Sequence, residues 1–347
     1  MAVAHRLSEQ LWSAWRAGGT GGRDDLVRAL QAVDPTPVSA WRDPLAFLEP
    51  MDLSVSNATY WQPPHEEDVV AADPGVVAAL RPIADAVATS PASAWWSTPV
   101  QSAALRYTSR FDEHDPASPP VLSGARERLQ RWRAEVLAEE RAAAAYRPAR
   151  LGVVSRRLET APRPARYPAA SISGQWWSTP AMASLVTTTR PLPGLCSVEL
   201  VWEEDSFGQR DALIWPLTTT RVPRVWEIDG PEAWVRLVDR YPLDVTNARR
   251  HDWCRTTGRT GTWCIPDWNA VAEQWDAVHV SVAGYLTTAT RALPLGDGDS
   301  ATVLAGWNPD RTWWLTDILA TPTTRPESWH NPPDLSGPDF AWRPTSP

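Results

Sequence analysis

The stretch RVWEIDGPEAWVRLVDR, residues 224–240, sets a strand and a helix back to back. Arg224–Ile228 is a short β-like run. Asp229-Gly230-Pro231-Glu232 then opens a helix over Pro231–Arg240, with Asp229 near the cap and proline in the first turn. The same mixture continues on both sides. Ser197–Trp202, Ala212–Leu217, Ala277–Val282, Ala301–Leu304 and Thr312–Leu315 read as strands, and Asp267–Gln274 reads as a helix entered through Ile265-Pro266-Asp267-Trp268.

The first half reads differently. Leu7, Leu11, Trp12 and Trp15 stand at helical spacing within residues 1–16, before the break at Gly18–Gly22. Because that glycine run follows a helix and lacks a lysine, it is a connector and no phosphate loop. Asp24-Asp25 open a short helix through Leu30. Residues 34–65 are proline-rich and extended. Asp73-Pro74 starts a helix through Val87 that is expected to kink or split at Pro82. Residues 124–146 are the clearest helix, with Leu129, Trp132, Val136 and Leu137 as its apolar stripe. The expected fold is α+β, a mainly helical N-terminal half packed on a mixed or antiparallel sheet in the C-terminal half. Its regions are 1–158, 171–320 and a proline-rich tail over 321–347 that wraps the surface, with a linker at 160–170.

Composition narrows the chemistry. The 347 residues carry 33 basic side chains, every one arginine, against 41 acidic ones, for a net charge of −8. With no lysine there is no Schiff base and no covalent pyridoxal phosphate. The negative balance argues against general nucleic-acid binding. No run of about 18 apolar residues predicts a membrane span. The start lacks a signal-peptide layout and the 3 cysteines are an odd number, so the expected location is the cytoplasm with reduced thiols. Arginine without lysine, with heavy alanine and proline use, fits a GC-rich genome. It does not account for 22 tryptophans against 6 tyrosines and 4 phenylalanines.

The pentapeptide Trp95-Trp96-Ser97-Thr98-Pro99 recurs as Trp176-Trp177-Ser178-Thr179-Pro180, and a threonine follows nine residues after each proline, at Thr108 and Thr189. Ser-Thr-Pro is a helix entrance, with a hydroxyl cap and proline at the first helical position. Two readings stay open. The indoles staple onto the helix start, or they form a stacking wall beside free N–H groups that hold an anion. Residues 249–268 add a dense polar loop with Arg249, Arg250, His251, Asp252, Arg255 and Arg259. Arginines near a histidine favour its neutral form, and they clamp phosphate or carboxylate. His279 lies on the strand Ala277–Val282, on the face opposite Val278, Val280 and Val282, with Asp276 at the strand's entrance. Gly306-Trp307-Asn308-Pro309-Asp310 is a turn, and Glu203-Glu204-Asp205 at the end of a strand reads as a solvated hairpin turn or as the source of a general base. Cys254 and Cys264 stand ten apart without a metal-binding spacing; a site of His251, Cys254 and Cys264 is the alternative, and no metal is expected.

From Trp176 to Asp317 the strings WWSTP, WEIDGPEAW, RRHDW, TTGR, IPDW, WDAVHVSVAGYL and GWNPD resemble a tryptophan-rich actinobacterial protein family, a likeness that implies an organism type and no activity. Trp177-Ser178-Thr179 also resembles the aromatic-Ser-Thr strand of ADP-ribosyltransferase-like folds, which leads into a helix that supports the nicotinamide side of NAD. That resemblance implies NAD as cofactor and nucleotide transfer. Where the family carries a late strand glutamate, this chain offers Asp276 and His279, with Glu273 in the preceding helix.

The combined expectation is an enzyme, a transferase, acting on an anionic, ring-bearing small molecule or nucleotide. Trp176, Trp177 and Trp307 stack the ring, with Ser178 and Thr179 beside them. Arg250 and Arg255 hold the anion, and His251, His279 and Asp276 are the catalytic candidates. The alternative is a non-catalytic module that binds a small molecule, sugar or protein on tryptophan platforms.

Overall fold

The computed structural model describes residues 20–56, 58–110, 119–145, 176–204, 208–332 and 342–345. The expected helix over 1–16 and linker over 160–170 lie outside the described residues. The chain divides into two compact units, residues 1–53 with 64–98, and residues 54–63 with 99–347. The class is α+β, with helices mainly early in the chain and the sheets late.

In the first unit the helices Thr20–Gln31 and Pro74–Thr89 meet through Leu26, Leu30, Val76 and Ala79. Asp73 caps the second of these by accepting from the Gly75 N–H, and the helix runs on through Pro82 rather than splitting there. The first WWSTP copy departs from its expected form. Pro91 opens a 3₁₀ helix, Pro91–Ser97, capped by the Ser90 side chain, so the two indoles fall in its last turn and Thr98 closes it. The motif is here a helix exit. Trp96 is buried edge-on against Phe47, with centroids 5.3 Å apart.

The second unit carries three four-stranded sheets among the described residues. The first is antiparallel, in the order β1 (Leu105–Arg110), β3 (Asp211–Leu217), β11 (Glu327–His330), β12 (Arg343–Pro344). Part of the expected surface tail is therefore strand. Trp329 stands opposite Ala212 and is buried, and that apolar burial holds the segment in the sheet. The second sheet runs β2 (Thr187–Thr188), β10 (Thr312–Trp314), β7 (Ala277–Val280), β4 (Val225–Ile228), and its β7–β4 pair is parallel. The third runs β5 (Pro242–Asp244), β6 (Thr262–Pro266), β9 (Ser300–Thr302), β8 (Leu293–Pro294). The helix Pro231–Arg240 falls on its expected residues, with Gly230, next to Asp229, as its cap.

Further expectations yield to the structure. Residues 34–65, expected to be extended, contain the helices Thr36–Ser39 and Leu48–Ser56. Ser197–Trp202 is not a strand. The Ser197 hydroxyl bonds to those of Thr108 and Thr189 at 2.9 and 2.8 Å, and the chain turns as a short 3₁₀ helix at Val198–Leu200. β7 stops at Val280 because Ser281 caps the helix Val282–Thr288, accepting from the Gly284 N–H at 3.0 Å. All four residues of β7 are buried, so both of its faces are covered. Residues 246–257 form a helix rather than a loop, closed by Gly258 in the left-handed region. Their polar sequence shows no apolar stripe, so partners elsewhere stabilise the helix. Glu140, on the helix Ala125–Ala145, accepts from the backbone N–H groups of Asn247 and Ala248 at 2.8 and 2.9 Å.

Indoles fill the centre of this unit. Trp307 lies 6.2 Å from Trp234, 5.9 Å from Trp268 and 6.4 Å from Trp313, centroid to centroid. Each buried indole removes roughly 150–250 Å² from water, worth about 4–6 kcal/mol at 25 cal/mol per Å².

Candidate acid–base site

His279 is the middle residue of a buried polar chain. It stands opposite Glu227 in the parallel β4–β7 register and opposite Thr312 across the antiparallel β7–β10 pair. Registered side chains share a sheet face, so the pairing itself brings carboxylate and imidazole together. His279 Nδ1 lies 2.5 Å from Glu227 Oε2, and Nε2 lies 3.3 Å from Asp310 Oδ1. Arg190 secures Asp310 twice. Its Nε donates to Oδ1 at 2.6 Å and its backbone N–H to Oδ2 at 2.7 Å. His279 and Asp310 are each 1% exposed, whereas the Glu227 side chain reaches solvent at 29%. Burial alone would lower the pKa of the imidazole. Its bonds to Asp310 and Glu227 outweigh that cost and raise it.

Asp310 is held at φ +63°, a left-handed conformation rare outside glycine and asparagine. The residues preceding it, from Gly306, form a loop that also reaches a second carboxyl. Asn308 accepts from the Glu204 backbone N–H at 3.0 Å. Glu204 Oε1 accepts from the hydroxyls of Tyr60 at 2.5 Å and Tyr285 at 2.6 Å. Burial lifts Glu204 to about 8 despite these donors, so it is mainly protonated at neutral pH. The acidic turn expected to be solvated thus has one carboxyl in the core. Gly306 has φ +77°, and a Cβ there would stand 2.9 Å from the Trp177 Cβ.

A cavity of about 10 Å³ adjoins the chain of charges, room for about one water. Val100, Gln101, Ala104 and Leu105 form one side of its lining, and Thr189, Arg190, His279, Asp310 and Thr312 the other.

The expected site residues do not gather around one ligand. Trp176 and Trp177 are half-buried and packed edge to face, 5.5 Å apart. One face of Trp176 is stacked on Tyr60, at 5.3 Å and 8°. Ser178 and Thr179 are buried, and Ser178 exchanges hydrogen bonds with the backbone of Ala305. Trp307 is 0% exposed within the indole core and presents no face to an incoming ring. Arg250 and Arg255 are five residues apart on the helix, so they leave it about 140° apart and do not converge from their backbone positions. His251 is half-buried on the same helix. What the structure does join is the second WWSTP copy and that helix, because Trp253 Nε1 donates to the Trp176 carbonyl at 2.7 Å and Arg249 Nε to that of Trp177 at 3.2 Å.

Asp276 is fully buried and its oxygens are occupied. Arg221 donates to both at 2.7 and 2.6 Å, the Arg224 N–H to one at 2.8 Å and the Thr316 hydroxyl to the other at 3.0 Å. Burial opposes ionisation, but these donors prevail and hold the group at about 2. It joins β7 to its neighbours and carries no proton at neutral pH.

Glu227, Asp310 and Arg190 were missed in the sequence. Only Asp310 had a signal, lying in a glycine–proline turn. Among the described residues no three His, Cys, Asp or Glu side chains form a metal-binding group. No helix there is long and apolar enough to cross a membrane. Set against protein-family models, curated proteins and solved structures, the chain matches none of them.

Proposed function

We propose that the second unit is an enzyme in which His279 transfers a proton to or from a small molecule. One observation carries this reading. A buried imidazole is held between two carboxylates, one of them fixed in turn by an arginine, at the rim of a cavity. Buried charges of this kind rarely add net stability, and perturbed titrating groups gather at functional sites. Asp310 holds the ring, Arg190 holds Asp310, and Glu227 carries the chain of charges to solvent. No indole lines the cavity, so the proposal includes no stacked ring. The three cysteines are all unpaired, which supports a reducing, cytoplasmic location.

The test is turnover of chromogenic acyl, phosphoryl and glycosyl esters, of anilides, and of NAD, by the full chain and by His279→Gln. One class should be turned over, with a loss of about 10²–10⁴-fold in the variant. Equal rates in both proteins, or no turnover of any class, contradict the proposal. The half-buried indoles of Trp176 and Trp177 favour a second reading, a non-catalytic binding module on tryptophan platforms, and ligand binding without turnover would support it.

A further inference from the structure

The two outer members of the charge chain share a further task. The Val100 N–H donates to Glu227 Oε1 at 3.1 Å, and Arg190 Nη2 donates to the Pro99 carbonyl at 3.3 Å. The Pro99 carbonyl and the Val100 N–H belong to the same peptide group. A carboxylate on one side and a guanidinium on the other therefore grip a single amide, the carboxylate taking its proton side and the guanidinium its oxygen. His279 stands between the two gripping residues, bonded to Glu227 directly and to Arg190 through Asp310.

The gripped segment is unlike the strands around it. Residues 99–104 have no strand or helix structure, and Pro99, Gln101 and Ala103 are exposed. The same segment supplies one wall of the cavity through Val100, Gln101 and Ala104. Val100 packs on the cluster of Leu105, Val186, Leu217, Ala277 and Trp314, which gives the residue after the proline a small apolar seat. Proline donates no N–H and restricts the backbone before it to extended conformations, so this segment offers the site one carbonyl, one N–H and one apolar side chain.

We propose that Glu227 and Arg190 form a peptide-binding clamp, that Pro99–Val100 occupies it as a built-in competitor, and that the ligand of the site is an extended peptide with a small apolar residue following proline. The amide proton would go to Glu227, the carbonyl oxygen to Arg190 and the apolar side chain to the seat of Val100. The cavity is water-sized because the occupant is already in place. This inference rests on the His279 reading only for the chemistry after binding; the clamp itself is tested without turnover.

The probe is the acetylated, amidated peptide Ser-Thr-Pro-Val-Gln-Ser, the sequence of residues 97–102, with an N-methylvaline version as control. Calorimetric titration is made on the full chain, on Val100→Pro, which removes the N–H that holds the strap, and on Val100→Pro with Glu227→Ala. The release of the strap should tighten binding by about tenfold or more. The control peptide should gain nothing, and Glu227→Ala should abolish the gain. Unchanged affinity in a Val100→Pro protein whose β3 amides stay protected from hydrogen exchange overturns the clamp, as does equal binding of the control. If Val100→Pro does not fold, hydrogen exchange decides in the unaltered chain. Saturating peptide should speed exchange at the Val100 amide while leaving β3 unchanged, and no acceleration overturns the proposal. Peptide binding without catalysis removes the enzyme reading alone; His279-dependent catalysis without peptide binding removes the clamp alone.

Discussion

Glu227 and His279 stand opposite one another on the parallel strands β4 and β7, and their side chains meet at 2.5 Å. They are 52 residues apart in sequence, and strand register alone brings them together. Asp310 arrives on the other side of the ring from a left-handed turn, with Arg190 behind it.

The Arg190–Asp310 pair is buried on both sides, so removing one charge leaves the other without compensation. Asp310→Asn keeps a side chain that tolerates the left-handed backbone. Chemical denaturation should nonetheless show a loss of about 3–5 kcal/mol. A change within the scatter of surface substitutions would mean that Arg190 does not depend on this carboxylate.

Glu204 makes stability depend on pH. Its folded pKa, about 8, lies above the ordinary carboxyl value of 4.5. Between those values the folded chain holds a proton that the unfolded chain has released, so stability falls as pH rises, by about 1.4 kcal/mol per pH unit from this group. Glu204→Gln should flatten that slope in denaturation curves from pH 5 to 8. An unchanged slope would place the dependence on another group.

Trp307 was expected to stack a ligand, but it lies fully inside the indole core. Trp307→Ala should therefore cost about 3–5 kcal/mol of stability. A protein that keeps its denaturation midpoint and loses only ligand binding would restore the platform role.

Gly306 combines φ +77° with close approach to Trp177. Gly306→Ala should destabilise by about 1–3 kcal/mol through that overpacking and shift the indole emission. Gly298, also at positive φ but with nothing near its Cβ position, is the control for the backbone contribution alone.

Where the sequence stated its own local rules, the fold was legible. Pro231 at a helix start, the stripe of Leu129, Trp132 and Val136, and the capping Asp73 acted on their neighbours as expected. Legibility failed where distant partners decide. Val198–Leu200 looks like a strand until the Ser197 hydroxyl is drawn to Thr108 and Thr189. Residues 246–257 look like a loop until Glu140 caps them. His279 was visible as a strand histidine, but Glu227 reads as an ordinary polar strand position until the parallel pair forms, and the grip on Pro99–Val100 has no sequence signature.

The protonation state of His279 tests the account most directly. With carboxylates at both ring nitrogens the protonated ring is favoured, and nitrogen-detected NMR titration should place the transition above the ordinary 6.5. Asp310→Asn should lower it. A transition at or below 6.5 would contradict the account, because Glu227 and Asp310 could not then be stabilising an imidazolium between them.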